Sequence, residues 1–101
     1  MTQIQRIEKM SEILEEVINS QKEFEKALEN FSNLQKLIKK LDKYYFSGAW
    51  RKDYEADEKG KISKTINRGS LSEDGIYNAI RLNKELAKDM QKIAKKVLNT
   101  K

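Results

Sequence analysis

The stretch TQIQRIEKMSEILEEVINSQKEFEKALENFSNLQKLIKKLDKYYF, Thr2 to Phe46, decides the fold. It contains neither glycine nor proline, and its apolar residues recur as Ile7, Met10, Leu14, Val17, Phe24, Leu28, Phe31 and Ile38. Gln21 and Gln35 fill the two remaining places of the same alternation. Steps of three and four residues keep side chains on one face of an α-helix, so this is a heptad seam. Ile4, Ile13, Ile18, Leu34 and Leu41 widen it on its flanks. Thr2 can cap the start. One helix over 3–46 is predicted, about 65 Å long at 1.5 Å per residue. Asn30, Ser32 and Asn33 mark the place where it would bend, if it bends.

Beyond Phe46 the pattern changes. Three of the four glycines lie between Ser47 and Ser70. Ser47 can cap a short helix over 48–58 that carries Trp50 and Tyr54 and stops at Gly60. Residues 59–72 read as loop, with Ile62 and Ile66 as apolar anchors. Ser70-Leu71-Ser72-Glu73 has the spacing of a capping box, and Ser72 before Glu73 and Asp74 is the competing cap. A last helix over 73–98 follows, striped by Ile76, Ala79, Ile80, Leu86, Ala87, Met90, Ile93, Ala94, Val97 and Leu98, with Asn83 interrupting.

Charge suggests how the two long helices pair. Residues 1–30 carry four basic and seven acidic side chains, a net of −3, while residues 72–101 carry seven basic and four acidic, a net of +3. An antiparallel hairpin sets Glu8, Glu12, Glu15 and Glu16 beside Lys88, Lys92, Lys95 and Lys96. Each exposed pair contributes only about 0–1 kcal/mol, yet the reverse arrangement is disfavoured. The expected fold is therefore all-α in one domain, 1–101. Its long N-terminal helix pairs antiparallel with the C-terminal helix, with a short helix and loop at the tip, as a hairpin or a three-helix-bundle-like variant. The first helix outlasts its cover, so part of the seam calls for self-association, as a dimer, or for another protein.

Composition narrows the chemistry. The 101 residues include no cysteine and no histidine. That excludes disulfides, thiolate metal sites and every nucleophilic arrangement that needs an imidazole. With no apolar run long enough for a membrane span and no signal-like segment after Met1, a cytoplasmic setting is the expectation. The lysine-rich faces, Lys84 to Lys96 and Lys36 to Lys43, could attract nucleic acid. Their interleaved acids and the scarcity of arginine favour solvated, paired faces, so nucleic acid is not expected as a partner.

The unusual part of the chain is the tract from 44 to 78, which holds the single tryptophan and all four tyrosines. Its candidate ligand or partner residues are Tyr44, Tyr45, Trp50, Asp53, Tyr54, Asp57, Arg68, Ser72, Glu73, Asp74, Tyr77 and Asn78. They could form a polar pocket with aromatic walls. The preferred reading is that they are the packing and capping groups of a difficult turn. Asp53, Glu55 and Asp57 mimic a calcium loop but fail its spacing, since glycine would be needed at Glu58 and glutamate at Lys64. Asp53 and Asp57 share a helix face and could offer two oxygens to a hard cation, though pairing with Lys52, Lys61 or Arg68 is favoured. Glu73 and Asp74 near a helix N-terminus suit a cap better than a general acid. No catalytic residue, metal or cofactor is assigned.

The pattern Tyr44-Tyr45, Trp50, Asp53-Tyr54-Glu55-Ala56-Asp57, Gly60, then Arg68-Gly69-x-Leu71-Ser72-Glu73-Asp74-x-Ile76-Tyr77-Asn78 resembles a bacterial domain-of-unknown-function family of short helical proteins. Members open with a long helix that starts much as Gln3-Ile4-Gln5-Arg6-Ile7 does here. Gly75 stands where that pattern leads one to expect alanine. The resemblance implies an all-helical fold and brings no activity, substrate or catalytic residue. Function is thus open at this level, with an interaction protein expected first. A small-ligand or metal-binding tip, conceivably a carboxylate-based enzyme, is the alternative.

Overall fold

A computed structural model describes residues 1–99. The protein is all-α. Among the described residues there are three α-helices and no strand: α1 (Gln3–Phe46), α2 (Ala49–Glu58) and α3 (Gly75–Leu98), with a 3-10 turn at Gly69–Leu71 before α3. The chain divides into two units, Met1–Gln35 and Lys36–Lys101.

The first unit is helix alone. Thr2 and Gln5 form a reciprocal cap: the Gln5 amide donates to Thr2 Oγ1 at 3.2 Å, and the Thr2 amide donates to Gln5 Oε1 at 2.9 Å. Two of the donors left over at a helix start are thereby satisfied. No residue of α1 is buried, and every residue from Met1 to Asn30 is exposed. Phe31, Leu34 and Gln35 are half-buried, and the Gln35 amide group donates to the Phe31 carbonyl at 3.0 Å. Asn30, Ser32 and Asn33 do not interrupt the helix.

In the second unit the end of α1 contacts α3. Half-buried Ile38, Leu41 and Tyr45 on α1, and Ile80, Asn83 and Met90 with buried Ile76 on α3, keep the three-to-four spacing of helices that each turn one stripe inward. Trp50 and Ile76, 8% and 5% exposed, are the core of the described residues. The 3-10 turn lies close to both α2 and α3, so it ties the short helix to the last one.

The helix boundaries have local causes. Gly48, at φ 93°, precedes α2, and Ser47 serves only as a weak cap. Its hydroxyl donates to the Tyr44 carbonyl at 3.3 Å and accepts from the Ala49 amide at 3.5 Å. At the other end, Gly60 takes φ 74°. Its amide donates to Asp57 O at 3.0 Å and the Lys61 amide to Ala56 O at 2.9 Å, the paired bonds of a left-handed glycine stop.

The start of α3 departs from expectation. It begins at Gly75 rather than Glu73, and Asp74 precedes it without a side-chain cap bond. Neither serine caps it. Ser70 lies inside the 3-10 turn, and its carbonyl accepts the Trp50 indole N–H at 2.7 Å. The Ser72 amide is drawn back to Gly69 O at 3.4 Å. A serine held in a turn by a tryptophan 20 positions earlier is not free to open a helix.

Candidate functional site

All twelve candidate residues belong to the second unit, and α2 organises most of them. Trp50 lies on the first turn of α2, with Tyr54 one turn later. Their rings stack with centroids 5.0 Å apart and planes 22° apart. Tyr45, near the end of α1, meets Trp50 at 4.9 Å and receives Phe46 edge-on at 5.0 Å. The result is an aromatic row, Phe46–Tyr45–Trp50–Tyr54. Such pairs add about 0.5–1.5 kcal/mol each beyond their burial.

The polar groups of the tip are bonded to one another. Tyr44 donates its phenol to Asp53 Oδ2 at 2.6 Å. Arg68 sends one guanidinium nitrogen to both oxygens of Asp57, at 2.9 and 3.2 Å. Asp53 and Asp57, on one face of α2, therefore have different partners and do not converge on a cation. Among the described residues no three of Asp, Glu, His and Cys gather as a metal site would require.

Electrostatics keep the phenols protonated. Burial pushes the Tyr44 hydroxyl up from 10.0 to about 12, the bond to Asp53 and that carboxylate's charge add to the rise, and Ser70 opposes it. The Tyr54 hydroxyl is raised mainly by the charge of Glu58, then by lost hydration, then by Glu73 and Asp57. Both tyrosines are hydrogen-bond donors at neutral pH. Neither is a general base.

The remaining candidates lie at the start of α3. Asp74 sits at its N-cap, and the Asn78 amide makes the first helical bond back to Asp74 O at 2.8 Å. Tyr77 is 52% exposed. Ser72 packs beside Gly75, where an added Cβ would collide with the Ser72 hydroxyl. Sequence reading missed the Ser70 carbonyl, a main-chain group that no motif announces. It also missed a shallow groove of about 480 Å³ in which Arg51, Lys52 and Glu55 join Tyr45, Phe46 and Trp50 over Gly48. The position of those charges one to five residues after Trp50 on a short helix was the available signal.

The fold and its tip define a class before any name does: an all-helical chain whose aromatic–acidic turn is internally bonded and whose first helix exposes an apolar face from Ile4 to Leu28. The chain belongs to a family described as a domain of unknown function (DUF4298), whose model matches residues 7–93. That is an uncharacterised family, as the resemblance implied. The match runs from within α1 to within α3 and so takes in both units. No curated protein and no solved structure matches the chain.

Proposed function

We propose that this chain is a non-enzymatic interaction protein, which self-associates or binds another protein through the apolar face of α1. One observation carries the reading. Nine large apolar side chains between Ile4 and Leu28 stand at least 39% exposed: Ile4, Ile7, Met10, Ile13, Leu14, Val17, Ile18, Phe24 and Leu28. Scattered exposed apolar residues need no explanation, but a continuous stripe on one helix face marks a surface that another chain covers.

The tip supports the same reading by what its polar groups already do. Tyr44 with Asp53, Arg68 with Asp57 and Trp50 with Ser70 are each engaged, leaving structural bonds where a catalytic site would keep reactive groups free. Among the described residues no helix is long and apolar enough to cross a membrane, so the stripe is not a span.

The test is a charge on the seam. Leu14→Glu in the full chain should abolish self-association, or capture of a protein partner from the native host, while the fluorescence of Trp50 in the second unit persists. A chain that neither self-associates nor retains any partner, whether or not Leu14 is changed, would overturn the proposal.

A further inference from the structure

The covering chain can be identified from the heptad positions of the exposed segment. Resting on the proposal above, we infer that it is a second copy of this protein, with its α1 lying parallel and in register along residues 4–28. Ile7 opens the alternation at position a, so Leu14, Gln21 and Leu28 are also a, while Met10, Val17 and Phe24 are d.

Charge selects the occupant. The segment is net acidic, yet its carboxylates avoid the seam: Glu8, Glu15 and Glu29 fall at b, Glu16 and Glu23 at c, and Glu12 at f. Positions e and g, which read a partner by charge, carry only Arg6 and Glu25 as ionised groups. A basic foreign helix would find almost nothing to pair with. In a parallel second copy each g residue meets the e residue five places on. Arg6 then meets Ser11, Ile13 meets Ile18, Ser20 meets Glu25 and Ala27 meets Ser32. None of these is a like-charged pair, and one is a full apolar contact.

Gln21 selects orientation and register. It is exposed in the monomer and sits at a. In a parallel, in-register pair it meets Gln21 of the second copy, and two amides can satisfy each other's donors and acceptors. An antiparallel pair sets a against d, so Gln21 would face Val17, Phe24 or Met10. Its amide would then be buried without a partner, the arrangement that polar groups in cores disfavour. This is the register role a polar a residue plays at a cost in stability.

The chain has no cysteine, so single cysteines report geometry directly. Ile7→Cys and Leu28→Cys, each alone in the full chain, should give a covalent dimer on mild oxidation. Both are a positions that face their own copies only in a parallel pair. Glu15→Cys, on the outer face, should not. Light scattering on the unmodified protein should give twice the monomer mass. A crosslink that forms only when an a variant is mixed with a d variant, Ile7→Cys with Phe24→Cys or Leu28→Cys with Met10→Cys, would overturn the orientation and leave self-association standing. A strict monomer with no crosslink would overturn the second copy altogether. The interaction reading would then survive only if a foreign partner were captured in a Leu14-dependent way. Gln21→Leu supplies an independent check. It should keep the protein associated and allow mixed crosslinks alongside the like-with-like ones. An unchanged crosslink pattern would overturn the role given to Gln21.

Discussion

Replacing Trp50 with phenylalanine tests whether the tip is held by a single indole. Trp50 is 8% exposed, its N–H donates to the Ser70 carbonyl at 2.7 Å, and its ring lies 4.9 Å from Tyr45 and 5.0 Å from Tyr54. Phenylalanine keeps a ring and loses the donor and part of the apolar bulk. The lost hydrogen bond is worth about 1 kcal/mol net, with a further 1 kcal/mol or so for the carbonyl left in a part-buried place. The missing ring atoms add roughly 1 kcal/mol. A total near 3 kcal/mol lowers the melting temperature of a unit this small by about 10–20 °C. All four tyrosines lie in this unit and none in residues 1–35, so near-ultraviolet circular dichroism at tyrosine wavelengths follows this unit rather than the first. Trp50→Phe melting within about 2 °C of the parent would refute the reasoning. Ser70→Ala is the matched control. The acceptor is main-chain, so this variant should retain the bond and change stability by less than about 1 kcal/mol.

Alkaline titration tests the environment of the Tyr44 phenol. Tyrosinate absorbance should show one group ionising at about 12, and Asp53→Asn should lower it only in part, because burial is the larger cause. The unfolded phenol ionises near 10.0, so this contribution to stability is complete below pH 10 and is lost as pH climbs toward 12. Discounted for water at a half-buried site, the loss is about 1 kcal/mol. A single tyrosine transition near 10 would contradict the geometry. Gly60→Ala should cost about 1 kcal/mol in urea unfolding, since φ 74° strains any β-carbon although the space around it is open, and Gly60→Asn should cost less. Equal stability for all three would remove the left-handed stop. Gly75→Ala should destabilise the parent by about 1 kcal/mol, because its Cβ meets the Ser72 hydroxyl, and should stabilise a Ser72→Ala background. A gain in both backgrounds would mean that Ser72 turns aside freely.

How much of this the sequence discloses depends on how local each cause is. The extent of α1 follows from an unbroken three-four alternation, and Thr2 with Gln5 is a cap written within four residues. Gly60 stops α2 through bonds that reach back only to Ala56 and Asp57. The start of α3 was misread because its cause is remote. Ser70 and Ser72 carry every local sign of a cap, and the Trp50 indole takes the carbonyl that fixes Ser70 in a turn. The candidate tip divides the same way. That aromatics and acids concentrate between 44 and 78 is visible in composition. Which acid serves which partner is not, because Asp53 and Asp57 look equivalent on one helix face until Tyr44 and Arg68 approach from different segments.

The first unit poses the harder physical question, which is what keeps its helix formed. Isolated helices are marginal in water and draw modest support from oppositely charged side chains four residues apart. Between Thr2 and Asn30 every charged pair at that spacing is like-charged: Glu8 with Glu12, Glu12 with Glu16, Lys22 with Lys26 and Glu25 with Glu29. Pairs three apart only offset this, since Lys9 with Glu12, Lys22 with Glu25, Glu23 with Lys26 and Lys26 with Glu29 attract while Arg6 with Lys9 and Glu12 with Glu15 repel. The helix therefore gains little from its own surface. Its apolar face, open from Ile4 to Leu28, gains nothing until another chain lies on it. Burying that face at about 25 cal/mol per Å² is the one large favourable term this segment has available. A dependence of α1 helicity on protein concentration, lost in Leu14→Glu, follows directly. Helix content from α1 that stayed constant on dilution to a monomer would show that propensity alone suffices, and would remove the energetic reason for a partner.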